Sequence, residues 1–323
     1  MAYSAGDTIL DDEYNNFVNS SSSPFGYNHF AGTGSANYGL GQSAIATVSA
    51  GGTINASSWN TLFTGMTNIA NHTNDTMTSR SAVSGGDAIA IKAAVATDLA
   101  TLAASIAAGS PNATATSDAD QGTSTNSGTW RSSSTIERSV TFASANAMRH
   151  FFNAGGSIRI DPGISGTTVG AKDSAYSSLT GAVGHLSLRA HTTTIAGDGG
   201  ETRASFDTSN GFFDLGTSYT SKVKYGSTDY TSNYSSNFIE ISAKLNNAAS
   251  GGSATVLTIK SFTQDTIGDV NSYSAGNLEG TPTDQNDAPA MTLNILAVCP
   301  SGAEGLEGQI SPSSNAQVSN STA

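Results

Sequence analysis

The residues with the most chemical potential in this chain of 323 residues lie in "HLSLRAH", residues 185–191. Read as a strand, whose side chains alternate between faces, it sets His185, Ser187, Arg189 and His191 against Leu186, Leu188 and Ala190. A hydroxyl between two imidazoles would suit proton transfer or metal ligation. Two histidines six residues apart on a strand, however, stand about 20 Å apart and cannot hold one ion. The segment therefore reads as an exposed polar face. The acidic loops "AGDGGE" (196–201), "TQDTIGDVN" (263–271) and "PTDQNDAP" (282–289) offer oxygen ligands for calcium, yet none has the twelve-residue spacing with its closing Glu. Asp in such turns hydrogen-bonds its own backbone. Glycoside hydrolysis needs two carboxyl groups roughly 5–10 Å apart, and carboxylates are sparse in the second half of the chain. The Gly-rich "FGYNHFAGTGSANYGLGQ" (25–42) lacks the "GK[ST]" and the preceding strand of a phosphate loop. Cys299, the single cysteine, sits in the apolar run "LNILAVCP" and reads as a packing residue. No catalytic, cofactor-binding or metal-ligating set is expected.

Contact chemistry is better represented. In "GFFDLGTSYTSKVKYGSTDYTSNYSSNF" (211–238), Tyr219, Tyr225, Tyr230 and Tyr234 fall at loop-like spacing. Such Tyr/Ser/Gly stretches suit protein or glycan contacts, because a phenol combines large area with a polar tip. These four are the candidate surface-contact residues.

What must position these residues divides into two regimes. In the first third, "GDTILDDEYNNF" (6–17) and "GGTINASSWNTL" (51–62) align at an offset of 45 residues, with Gly6/Gly51, Thr8/Thr53, Ile9/Ile54, Tyr14/Trp59 and Asn15/Asn60 in register. Each copy reads as an extended lead, a cap (Asp11 or Asp12; Ser57 or Ser58) and a helix. Trp59, Leu62, Phe63, Met66 and Ile69 recur at three and four and make one apolar stripe. A third helix is expected over 87–107, with Ile91, Val95, Leu99, Leu102 and Ile106 on one face. Residues 109–128, almost free of bulky apolar groups, read as the linker between domains.

From 129 onward the period becomes two, as in "ERSVTFAS", "NFIEISAKL", "ATVLTIKSF" and "MTLNILAV". The expected class is α+β: a helical docking region (1–108), the linker, an antiparallel β-sandwich (129–299) with short capping helices near 144–152 and 173–180, and a polar tail (300–323). In "MRHFFNAGGSIRI" (148–160), Phe151 and Phe152 lie on the inner face of such a helix, and Gly155-Gly156 lets the chain reverse. Tyr14, Trp59, Leu62, Phe63, Phe151 and Phe152 are the candidate docking and packing residues.

Composition bounds the partners. Charged residues are 12%, about half the usual share, and the net charge is −12. That balance disfavours nucleic acid and anionic lipid. "MAYSAGDTILDDEY" has no basic and apolar leader, and the Ala-rich run near 87–107 carries Asp87, Lys92 and Asp98, so neither a signal peptide nor membrane insertion is expected.

The pattern "SVTFASANAMRHFFNAGGSIRI" (139–160), with "TWRSSSTIERSVTF" before it, resembles a segment of structural proteins of tailed phages, especially large phages of marine bacteria and cyanobacteria. The paired "YN"/"WN" helices with "GTGSANYGLGQ" between them and "NIANHTND" after them also match. So do "KDSAYSSLTGAVG", "NFIEISAKLNN" and "SATVLTIKSFTQD", in the same order. The likeness covers most of residues 6–265, and the helix at 87–107 and the linker depart from it. It implies a non-enzymatic neck or tail component of a virion, assembled in the cytoplasm of a bacterial host and acting as a homo-oligomer docked on other virion proteins. It transfers no catalytic residue. The alternative is a receptor-binding or fibre/decoration module that recognises host glycans through the tyrosines.

Overall fold

The computed structural model describes residues 11–23, 25–30, 43–73, 75–85, 92–107, 116–126, 130, 132–153, 155–165, 171–197, 202–206, 208–226, 237–249, 253–265, 289–300 and 311–322. By contacts the chain forms two compact units. One comprises Met1–Ser117, Asn146–Gly156 and Cys299–Ile310; the other comprises Asp118–Ala145, Ser157–Val298 and Ser311–Ala323.

In the first unit, α1 (Asp11–Asn19), the one-turn α2 (Tyr27–Phe30), α3 (Ala56–Thr73) and α4 (Lys92–Ala107) surround one apolar core. The stripe expected on α3 is buried throughout: Trp59, Leu62, Phe63, Met66 and Ile69 all turn inward. From α1 come Tyr14, Phe17 and Val18, and from α4 come Val95, Leu99 and Leu102. Ile91 and the side chain of Ile106 lie outside the described residues. The two aromatics matched by the repeat meet each other, Tyr14 edge-on to Trp59 at 5.3 Å between centroids. Tyr14 Oη donates to Ser58 O at 3.2 Å. α3 is capped by Asn55, not by Ser57 or Ser58: Asn55 Oδ1 accepts from Ser58 N at 3.0 Å, and both serines lie inside the first turn. Tyr27 crosses α3 where a side chain would block it, since a Cβ on Gly65 would stand 2.6 Å from the Tyr27 ring.

Long extended segments are held against these helices by asparagine. Asn15 Nδ2 donates to Val48 O and its Oδ1 accepts from Val48 N, both at 2.8 Å. Asn60, its match in the repeat, does the same to Val83, at 2.9 and 2.8 Å. Asn28 clamps Ile45 in this way at 2.8 Å on both sides. A carboxamide is one of the few side chains that can present a donor and an acceptor together, so it pairs with both the N–H and the C=O of one residue, as an opposed residue of an antiparallel strand would. The repeat thus extends beyond the helices to the backbones they hold, each at a Val-Ser pair. Asn60→Ala leaves Val83 N and O without these partners and should cost about 1–2 kcal/mol. Denaturant unfolding followed by helical circular dichroism measures it, and Asn60→Asp, which keeps only the acceptor, should be nearly as damaging.

In the second unit the described strands form two antiparallel sheets, giving the α+β sandwich. In the five-stranded sheet, β1 (Thr116–Thr125), β10 (Ala290–Pro300), β3 (Ser157–Ser165), β4 (Leu186–Leu188) and β5 (Thr193–Ile195) are neighbours in that order. The six-stranded sheet runs β11 (Ser314–Thr322), β2 (Ser133–Thr141), β9 (Val256–Gln264), β8 (Phe238–Leu245), β7 (Thr220–Gly226), β6 (Thr202–Phe206). Alternation does what period two requires. Leu257, Ile259, Ile239, Ile241, Ala243 and Leu245 are buried, and their neighbours within β8 and β9 are half-buried except Ser242, which is buried too. α6 (Ala171–Val183) packs on β3 of one sheet and on β7 and β8 of the other. Its Tyr176 stands 5.1 Å from Trp130 and accepts from Asn237 Nδ2 at 3.0 Å.

Three expectations are corrected. The linker contains a strand: β1 occupies 116–125, where small polar residues serve at the end of the five-stranded sheet, with β10 as its one neighbour among the described strands. The polar tail also contains one, since residues 314–322 pair with β2 along their length and backbone pairing needs no apolar side chains. The sandwich is not continuous in sequence, because α5 (Ala145–Asn153) falls largely in the helical unit. Phe151 and Phe152 of α5 are fully buried and edge-on at 5.0 Å. After α5, Gly155 takes φ +93°, and a Cβ on Gly156 would stand 2.5 Å from Phe151 O.

Candidate functional site

The densest set of polar side chains lies on the less buried face of the six-stranded sheet. Register puts it there. Glu137 of β2 is opposite Lys260 of β9, and Lys260 is opposite Ser242 of β8. Lys244 follows two residues along β8 and so shares that face. Tyr219, in the residues just before β7, is laid over this row. Its ring has Lys244 Nζ at 4.3 Å and Lys260 Nζ at 4.2 Å from its centroid. Each ammonium is drawn to the negative face of the ring. Along the same sheet Lys224 Nζ stands 3.6 Å from the centroid of Phe238, which packs on Phe262 at 5.7 Å. In a chain of net charge −12, this face gathers cations on aromatic rings.

Electrostatics at Tyr219 are set by what covers it. Burial, and then the nearby Glu137 carboxylate, push its hydroxyl pKa well up. Glu137 is the carboxylate that faces that hydroxyl, though not at well-formed hydrogen-bond geometry, and among the described residues Ser242 Oγ in the same row has no partner. A serine nucleophile would need a hydrogen-bonded base, and Lys260 is engaged with the ring instead.

A phenol whose folded pKa is raised stabilises the fold fully below its unfolded value near 10, and that contribution is lost as pH climbs toward the folded value. Unfolding free energy measured from pH 8 upward should therefore fall above about pH 10, and fall less in Tyr219→Phe. At neutral pH Tyr219→Phe should be close to neutral, because the hydroxyl makes no well-formed hydrogen bond and lies beside the Glu137 carboxylate. Tyr219→Ala should cost about 1–3 kcal/mol, since it removes the ring face on which the Lys244 and Lys260 ammonium groups rest.

The other sequence candidates fare differently. Tyr225 is not a surface residue: it is 3% exposed, on the inward side of β7 with Val223 and opposite Ile239. Strand alternation after the bulge at Lys222 turns it into the core. Tyr230 and Tyr234 lie outside the described residues. Tyr14, Trp59, Leu62 and Phe63 are core residues of the helical unit and Phe151 and Phe152 are buried, so all six are occupied in packing within the chain. "HLSLRAH" does not form a strand across its length. β4 covers only Leu186–Leu188, because residues 211–213 cross it there: Phe212 N and Phe213 N donate to Arg189 O and Ala190 O at 2.8 and 3.0 Å. His191 stacks on Phe213 at 5.1 Å, where burial lowers its pKa against the opposing pull of Asp214. Cys299 is buried in β10.

Among the buried cations that escaped sequence reading, Arg138 and Lys222 are held within the sandwich. Arg138, on β2, is 5% exposed. It donates from Nη1 to Ser124 Oγ at 2.5 Å and from Nη2 to Gln121 O at 2.6 Å and Asn315 Oδ1 at 2.8 Å. It joins β1 of one sheet to β2 and β11 of the other along one flank of the sandwich. Lys222, 1% exposed at a bulge of β7, donates from Nζ to Asn210 O at 3.1 Å and to Asn210 Oδ1 at 2.7 Å. For Arg138 the available signal was a basic residue in a strand position that period two assigns to the core, in phase with Ile136 and Val140; Lys222 gave no such signal, because a bulge turns it inward out of phase with Val223 and Tyr225.

Comparison with protein-family models, curated proteins and solved structures returns no match to this chain.

Proposed function

We propose that this chain is a non-enzymatic structural component of a tailed-phage virion, placed at the neck or tail, that acts by oligomeric assembly and by docking on other virion proteins. The observation that carries the reading is β11. Among residues 314–321 none is buried, and Val318 is 54% exposed. Most edge strands keep one face on a core; this one gains its order from backbone pairing to β2 and from a few side-chain bonds such as Asn320 Nδ2 to Thr125 O at 2.8 Å. It has no Lys, Arg, Asp, Glu or Pro, the residues that usually guard an open edge. A bulge between Gln317 and Ser319 is its one irregularity.

The resemblance over residues 139–160 supports the same reading, as does a surface in which hydroxyls and amides replace charge. Cation-bearing rings and asparagine clamps build a rigid scaffold and leave the contact work to strand edges and loops. The glycan-binding alternative loses weight because Tyr225 is internal and Tyr219 is covered by two lysines. The test is proteomic and structural. Purified particles from a phage encoding this chain should contain it in multiple copies, and reconstruction should place those copies in a ring or spike at the neck or tail. Absence from the particle would overturn the proposal.

A further inference from the structure

We infer that Lys222 and Asn210 form an intramolecular isopeptide bond. Lys222 carries only N–H donors, so the atom of Asn210 that it meets must be the carbonyl oxygen Oδ1. With a C=O bond of about 1.2 Å and Nζ at 2.7 Å from Oδ1, Nζ lies within about 4 Å of Cγ, close to the near-attack range of about 3–3.5 Å. The amine is buried, and its second bond, to Asn210 O, fixes it on the same residue. Asn210 is itself held. Thr193 Oγ1 donates to its backbone O at 2.6 Å, and the next residue, Gly211, donates from N to Asp214 Oδ2 at 2.7 Å. A Cβ on Gly211 would stand 2.4 Å from Ala190 O, so the turn is pressed against the segment before β5. Nucleophile and electrophile are therefore both immobilised, with water excluded from the amine and a carboxylate anchored on the adjoining N–H.

The step balances without a co-reactant. Lys222 Nζ, once its ammonium has given up a proton, attacks Asn210 Cγ, the Nζ–Cγ bond forms and the Cγ–Nδ2 bond breaks. Nδ2 departs as ammonia and takes up protons released by the lysine, so ammonium and a secondary amide are the products. No oxidant is used. The bond ties the loop between β6 and β7, which reaches the other sheet through Thr193, to the middle of β7. It closes the flank of the sandwich opposite Arg138.

The experiment is intact mass spectrometry on the purified, folded full chain, with peptide mapping. The expected result is a mass lower by one ammonia and a branched peptide joining residues 210 and 222. Lys222→Arg keeps a donor at the site but supplies no attacking amine, and should show the full sequence mass. Folded wild-type chain at its full sequence mass after prolonged incubation overturns the inference. So does ammonia loss that persists in Lys222→Arg, which would assign it to ring closure at Asn210-Gly211. Because the wild-type measurement decides the matter alone, a variant that fails to fold does not remove the test.

Discussion

Trp59→Ala is expected to destabilise the helical unit by about 3–5 kcal/mol, the range for deleting a large buried aromatic. Trp59 is 1% exposed and touches three other rings: Tyr14 at 5.3 Å, Phe63 at 5.9 Å and Phe17 at 6.1 Å between centroids. Its loss opens a space at the meeting point of α1 and α3, and aromatic neighbours held on two helices cannot collapse to fill it. Short helices are marginal without tertiary packing, so the penalty should appear as lost helicity and not merely as a softer core. Denaturant unfolding monitored at the helical band is the measurement. Trp59→Phe, which keeps most of the volume, should recover more than half of the loss. The indole Nε1 has no partner in the core, so Phe forfeits no hydrogen bond there.

The second large effect is expected at Arg138. Arg138→Ala strands Ser124 Oγ and Gln121 O in a buried seam and removes the tie to the exposed Asn315, and should cost about 2–5 kcal/mol. The loss should be local in origin. β1 and β11 are both sheet edges held on this flank, so their amides should gain hydrogen exchange first while β8 and β9 stay protected. Arg138→Lys should recover little, because three acceptors on two sheets match a planar fork and not a single ammonium. If β1 and β11 keep wild-type exchange in Arg138→Ala, the seam is held by other contacts, such as Asn126 Nδ2 on Ser134 Oγ at 2.7 Å.

Several features were legible in the chain before folding is considered. The spacing of Trp59, Leu62, Phe63, Met66 and Ile69 fixes which face of α3 turns inward, since helical period converts sequence separation into direction. Alternation in "NFIEISAKL" fixes the inward face of β8 for the same reason. The helix ending in Phe151-Phe152 and the glycine pair after it were visible because only glycine accepts both φ +93° and a backbone oxygen 2.5 Å from where its Cβ would be. The repeat pairing Tyr14 with Trp59 and Asn15 with Asn60 was visible as spacing alone.

What only the tertiary structure decided is how polar residues are used. Asn15 and Asn60 matched in sequence, but that each would grip a Val-Ser backbone segment 33 or 23 residues away depends on where the chain returns. β1 and β11 carry almost no apolar signal, because an edge strand can be held by backbone bonds contributed from distant residues. The bulge at Lys222 shifts the count by one, sending both Lys222 and Val223 inward and carrying Tyr225 into the core. Periodicity is a local property and survives in the sequence. The partner of a carboxamide, an ammonium or an edge strand is set by the fold.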